Sequence, residues 1–318
     1  MKTQKIKRIL SLKVGEFMEK HGEELKMVSV NGELGYEREI YEPSVNRPGL
    51  ALSGFIDYFA CERVQVFGNS EFSFLEQCPP EERTRKFQSI IDVGFPCAVL
   101  ARNGKIPDDV VEVASKNDVA VFQTELSTMS YMNSAMYLLE QEFAITTNLH
   151  GCMISYRGVG MLIMGSSGIG KSEAALGLVE SGAALVADDK VKIKKTNGKL
   201  TATTEEFSRG FIEMRGVGII NVGNLYGLGA IRESCNVELI IFLRPEKDLN
   251  NVDRVGAVRE EYDVLGVKVP YIEIPVAPGR DTARLISVAA LDFQLRKVGY
   301  DMAQEFNQRI LDKMSKKM

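Results

Sequence analysis

The sequence is poor in the residues that build metal clusters and covalent frameworks. It holds two histidines, His21 and His150, and five cysteines scattered without paired spacing. That distribution argues against a histidine-rich metal site, a zinc site or a disulfide framework. Basic residues are short as well: 39 Lys and Arg stand against 43 Asp and Glu, giving a net charge of -4. A broad nucleic-acid-binding face needs the opposite excess, so a partner is expected to be another protein or a small anion. No apolar run reaches the length of about 18 residues that spans a membrane. The start, MKTQKIKRILSLKVGEFMEK, lacks the uninterrupted apolar core of a signal peptide. A reducing cytoplasm is the expected compartment, with neither membrane nor nucleic acid as partner. Internal repeats and low-complexity tracts are absent too.

What remains is an ordinary globular composition, 45% hydrophobic and 26% charged, over 318 residues. At about 100 to 200 residues per domain, that length predicts two domains. From Lys7 to about Thr124, apolar runs such as KMVSV, CERVQVFG and PCAVLARN alternate with polar helical stretches between Pro, Gly and Asn. This is the texture of a small α/β domain. Residues 127–143 open on a hydroxyl and place Met132, Met136, Leu139 and Phe143 at helical spacing, which reads as a connecting helix with a packing stripe. After His150 comes a glycine-dense series of strands: CMISY, GMLIMG, AALVADD, KVKIKK, KLTATT, GIINV, VELIIFL and YIEIPV. Two long helices interrupt it, at about 171–181 and 282–297, with Asp281 placed to cap the second and Gly299 to end it. Beyond Asp301, Met302, Phe306, Ile310 and Met314 share one face, which reads as core-covering ahead of partner-contacting. The expected division is an N-terminal α/β domain over 1–129 and a second domain over 130–318.

One stretch carries chemistry directly. Gly165, Ser166, Ser167, Gly168, Ile169, Gly170, Lys171 and Ser172 fit G-x-x-x-x-G-K-[ST] at every fixed position, behind a strand-like run and ahead of a helix-like one. By average residue usage the bare pattern arises by chance in roughly one protein in a hundred of this length. Glycines let backbone N–H groups turn inward around phosphate oxygens, and the following helix N-terminus adds partial positive charge. Lys171 offers a point charge to β and γ phosphates, and the Ser172 hydroxyl can ligate Mg²⁺. An ATP-like ligand is implied.

The next hydrophobic run closes on Asp188-Asp189, and a strand–helix–strand unit brings that end beside the phosphate loop. One carboxylate there suits magnesium, and a second suits acceptance of a hydroxyl proton during phosphoryl transfer. An isolated pair also caps turns. VELIIFL is a rival strand but ends in Arg244-Pro245, without a metal ligand. His150, alone, reads first as a structural histidine. Glu213 and Arg215 are charged groups among glycines, where a ligand can approach closely. Arg254 and Arg280 either clamp phosphate or lie in solvated loops, and spacing leaves both open.

Together these segments resemble the bifunctional HPr kinase/phosphorylase family of bacterial carbon-catabolite control. GSSGIGKSE resembles its phosphate loop, IEMRGVGIINV its signature segment, PVAPGR its C-terminal loop, and RPGLALSGFIDYFACERVQVFG a run of its N-terminal domain. Departures are modest: Ala277 stands where many relatives carry arginine, and Met214 and Val217 replace commoner apolar residues. The resemblance implies an N-terminal α/β domain followed by a P-loop kinase domain related to phosphoenolpyruvate carboxykinase, assembled as a homohexamer. It implies phosphorylation of a serine on the phosphocarrier protein HPr, with ATP or pyrophosphate as donor and Mg²⁺ as cofactor. The reverse activity is phosphorolysis by inorganic phosphate, which releases pyrophosphate. Position by position, Lys171 is then the phosphate-binding lysine, Ser172 and Glu213 hold magnesium, Asp189 exchanges the serine proton, and His150 and Arg254 fall on catalytic positions. Two other classes are weighed beside it: a P-loop kinase or carboxykinase acting on a small metabolite, and a nucleotide-gated regulatory protein. Against the former stands the lack of a lid domain or a metabolite-binding arginine cluster.

Overall fold

The N-terminal apolar runs become a five-stranded sheet. In the computed structural model, which describes residues 6–246 and 260–315, its strands are β1 (Met27–Ser29), β2 (Val45–Asn46), β3 (Val64–Phe67), β4 (Cys97–Leu100) and β5 (Ala120–Thr124), in the order β1-β5-β4-β3-β2. Strands β2 to β5 run parallel, and β1 is antiparallel at the edge. Every residue of β3 and β4 is buried, as parallel strands covered on both faces require. Helices α1 (Asn69–Gln77), α2 (Pro80–Val93) and α3 (Asp108–Lys116) supply Leu75, Phe87 and Val110 to one core cluster. Helix α4 (Thr128–Glu142) supplies Tyr131, Ala135 and Leu139 to the other. Each such fully buried large side chain contributes about 1.5–3 kcal/mol.

Helix α4 lies between the last strand of this unit and the first strand of the next, and the contacts divide after Ala144, later than the expected boundary at 129/130. The helix begins where Ser127 Oγ accepts from Ser130 N at 3.1 Å, and its stripe packs as expected: Leu139 is buried, and Met132, Met136 and Phe143 lie partly buried against the same core as Tyr131 and Ala135. It therefore belongs to the core of a unit spanning Arg8–Ala144.

The second compact unit runs from Ile145 onward and includes the N-terminal strand Ile6–Lys7. Its elements are β6 (Ile145–His150), β7 (Cys152–Tyr156), β8 (Val159–Gly165), α5 (Lys171–Glu180), β9 (Ala184–Ala187), β10 (Lys190–Thr196), β11 (Lys199–Thr203), the hairpin β12 (Phe211–Met214) and β13 (Gly218–Asn221), β14 (Ser234–Asn236), β15 (Leu239–Pro245), β16 (Glu260–Val264), β17 (Val267–Val276), α6 (Thr282–Lys297) and α7 (Met302–Ser315). A six-stranded sheet has the order β9-β7-β8-β15-β17-β16, and a five-stranded sheet joins Ile6–Lys7, β6, β10, β11 and β14. Period-two alternation builds the layers. Met161 and Ile163 of β8 face a cluster with α5 and α6, while Leu162 between them joins a cluster with Val191 and Ile193 of the other sheet.

Three consequences position the site. Strands β8 and β9 end at the same edge although β7 lies between them, antiparallel to both. The direct parallel neighbour of β8 is the rival strand β15. Asp281 caps α6 by accepting from Arg284 N at 2.9 Å, as its position predicted. The stripe on α7 does not cover the core, since Phe306 and Met314 stay exposed. Among the described residues no helix is long and apolar enough to cross a membrane.

Candidate active site

Glycine sets the shape of the loop joining β8 to α5. Gly168 and Gly170 have φ of +78° and +103°, backbone that L side chains rarely adopt. A Cβ on Gly168 would lie 2.6 Å from Arg215 Nη1, so the absent side chain makes room for a guanidinium. Gly170 begins the ten-residue helix α5 without a side-chain cap, which leaves its first amides lacking a side-chain acceptor. Half-buried Ile169 anchors the loop on the core. Lys171 is only 8% exposed, and its Nζ donates to Ser166 O at 3.1 Å and Gly165 O at 3.4 Å. A buried ammonium held by neutral carbonyls favours an anion in the same cradle. A phosphate fits that demand.

The strand β9 delivers both aspartates to this edge and aims them apart. Asp188 turns inward: its two oxygens accept from Ser172 Oγ at 3.2 and 3.3 Å, Oδ2 also from Glu213 N at 3.1 Å, and Oδ1 from the Cys152 thiol at 2.6 Å. Burial, reinforced by the Asp188 charge and hydrogen bond, pushes that thiol well above its usual range, so it stays protonated as a donor. Asp189 turns outward. Its φ of +62° is left-handed backbone, uncommon for a residue with a side chain, and the side chain is 77% exposed with Oδ1 2.9 Å from His150 Nδ1. His150 reaches it because β6 pairs with β10 in a register that sets His150 opposite Lys190. With a proton on Nδ1, the imidazole donates to Asp189 and orients it.

A cavity of about 200 Å³ gathers His150, Lys171, Ser172, Asp188, Asp189 and Glu213, with Ser167, Gly168, Gly170, Glu173 and Arg215 completing the wall. A second, of about 320 Å³, lies across the loop between Ser166, Leu243 and the ion pair of Arg244 with Glu273. The sequence-predicted residues therefore converge, with two exceptions. Arg254 lies outside the described residues, and Arg280 pairs with Glu246 at 3.2 Å. Sequence reasoning did not find Cys152, nor which aspartate faces Ser172. A weak signal existed, because Cys152 follows His150 by two residues and opens the strand beside the loop.

Among the described residues no three His, Cys, Asp or Glu side chains cluster as a metal cage. The donors near Ser172 are oxygens, a hydroxyl and carboxylates, next to a phosphate cradle. That set suits Mg²⁺, which takes one or two protein oxygens and completes its shell with phosphates and water.

Residues 12–139 match the family described as HPr Serine kinase N terminus, and residues 141–310 that described as HPr Serine kinase C-terminal domain. An HPr kinase/phosphorylase of Brevibacillus brevis is 40% identical over 284 residues, 89% of this chain and 91% of that protein. One from Chloroherpeton thalassium is 39% identical over 287 residues, 90% and 84% of the two chains. The solved structure of the HPr(Ser) kinase/phosphatase from Coxiella burnetii is 32% identical with a TM-score of 0.47, covering 50% of this chain and 97% of that one. With both of its domain types matched in order, the chain belongs to the HPr kinase/phosphorylase family.

Proposed function

We propose that the unit beginning at Ile145 transfers the γ-phosphoryl group of ATP to a serine hydroxyl of HPr and also runs the reverse phosphorolysis. The observation that carries this reading is the outward Asp189, held by His150 at the rim of a phosphate cradle. A carboxylate so exposed is accessible to a hydroxyl on a macromolecule, whereas Asp188 is already engaged. In the forward direction the serine oxygen forms a bond to the γ-phosphorus, the bond to the ADP oxygen breaks, and Asp189 takes the hydroxyl proton. In reverse, a phosphate oxygen attacks the phosphoserine, pyrophosphate forms, and Asp189 returns a proton to the departing serine oxygen. Both reactions make or break the same bond to the serine oxygen, so one carboxylate can take the proton in one and give it back in the other.

Lys171 exchanges its two carbonyl partners for phosphate oxygens, and the backbone of Gly165–Ser172 cradles the chain of phosphates. Ser172, Asp188 and Glu213 would hold Mg²⁺, which would supply positive charge against the phosphates. Arg215, against Gly168, adds a planar cation to the same wall. Arg254 is proposed as a further active-site cation. The family resemblance supports extending the reading to pyrophosphate as an alternative donor, a homohexameric cytoplasmic enzyme, and a role in catabolite repression and sugar uptake.

The decisive experiment incubates the chain with γ-labelled ATP, Mg²⁺ and purified HPr. Label on an HPr serine is expected, and added phosphate should then release labelled pyrophosphate. Turnover only with a small metabolite, or nucleotide binding without transfer, sinks the proposal.

A further inference from the structure

We infer that Cys152 is a positioning residue for the transfer site: its thiol fixes the Asp188 carboxylate against Ser172. The inference rests on reading this site as one for nucleotide with Mg²⁺. Cys152 is fully buried at the start of β7, on the side of the sheet that faces α5. Its Sγ lies 2.6 Å from Asp188 Oδ1 and 3.9 Å from Ser172 Oγ.

Asp188 has two other donors, the Ser172 hydroxyl and the Glu213 amide. The first belongs to the phosphate loop's own helix and the second to an exposed hairpin, and both residues line the cavity, which Cys152 does not. The thiol belongs to the sheet. It alone is set by the fold whatever occupies the cavity.

A second feature converges on this contact. The pairing of β7 with β9 shifts register, Met153 opposing Ala187 but Ile154 opposing Leu185, so Val186 is an extra residue in β9. Such a bulge re-aims the strand that carries it. Here it lies two residues before Asp188, and the re-aimed end meets Cys152. Without the thiol, Oδ1 keeps only the hydroxyl that a cation would also claim.

The test is calorimetric titration of the full chain with a non-hydrolysable ATP analogue, in Mg²⁺ and in EDTA. Wild type and Cys152→Ser, which keeps a donor, should show equal tightening by Mg²⁺. Cys152→Ala and Cys152→Val should lose about five- to tenfold of that tightening, the size of one hydrogen bond, with affinity in EDTA unchanged. Thermal melts monitor folding. Should the valine variant fail to fold, the alanine–serine contrast decides. Equal behaviour of the serine and alanine variants, at either level, overturns the positioning role. Absence of Mg²⁺-dependent binding in wild type overturns the reading of the site, and the role with it.

Discussion

Each unit contains a strand that runs through glycine into a helix, and the two junctions are finished differently. In the N-terminal unit, β3 passes through Gly68 into α1, and Glu71 reaches back to accept from Gly68 N at 2.9 Å. Glu71 is 3% exposed and also accepts from Arg47 Nη2 at 2.6 Å. A Cβ on Gly68 would lie 2.7 Å from Thr128 Oγ1, so the space is filled. In the other unit, β8 passes through Gly170 into α5, and the nearest atom to a Cβ there is Glu173 Oε2 at 3.9 Å. One helix N-terminus has its anion built in, while the other has no side-chain cap. The same local geometry serves stability where a carboxylate satisfies it, and function where none does.

The largest way to break this contrast is at Asp189, which shares a cavity with the open junction. Asp189→Asn should lower phosphoryl transfer by about 10²- to 10⁴-fold in both directions, the usual contribution of a positioned acid or base. Single-turnover rates with saturating nucleotide measure it, and normal turnover in either direction excludes the assignment. At the filled junction the effect moves from rate to stability. Glu71→Ala removes the acceptor for an amide and a guanidinium and should cost about 2 kcal/mol, below the full penalty for a buried pair because Arg47 is partly exposed. Urea denaturation reads this, and nucleotide affinity should not change.

The smallest effect concerns the ionic balance of the N-terminal unit. Glu142 is partly buried, which alone raises its pKa, but hydrogen bonds and charges from Lys20 and His21 outweigh burial and hold it below its ordinary value of 4.5. A depressed carboxylate stabilises the fold above its unfolded pKa, and that contribution is lost as pH falls through the folded value. Glu142→Gln should therefore destabilise by less than about 1 kcal/mol at neutral pH, since Lys20 is well exposed. In melts at stepped pH the difference should shrink with acidification below 4.5. A difference that grows there contradicts the pairing.

Legibility in the sequence followed the range of the interaction. The glycine turn between β8 and α5, the helix that follows and the Asp281 cap were readable because their partners lie within a few residues. The stripe of α4 was legible as packing but not as belonging to the N-terminal unit, since helical spacing says nothing of which strands supply the core it meets. The tail helix failed for the same reason: its stripe predicts a covered face but not whether one's own unit covers it. Asp188 was legible as a member of a pair and illegible as the partner of Cys152 and Glu213, which lie 36 and 25 residues away.

Eight consecutive residues by themselves determined a glycine turn leading into a helix N-terminus at Gly165–Ser172, because the glycines that permit the positive φ of Gly168 and Gly170 lie within the segment itself. Family membership was equally local, carried by short segments along the chain. Only the tertiary structure decided the different orientations of Asp188 and Asp189. Neighbours in sequence differ in direction only through backbone conformation and pairing, here the bulge in β9, the left-handed turn at Asp189 and the register that brings His150 alongside. These depend on strands distant in the chain, and they leave one carboxylate engaged beneath the loop and the other facing the solvent.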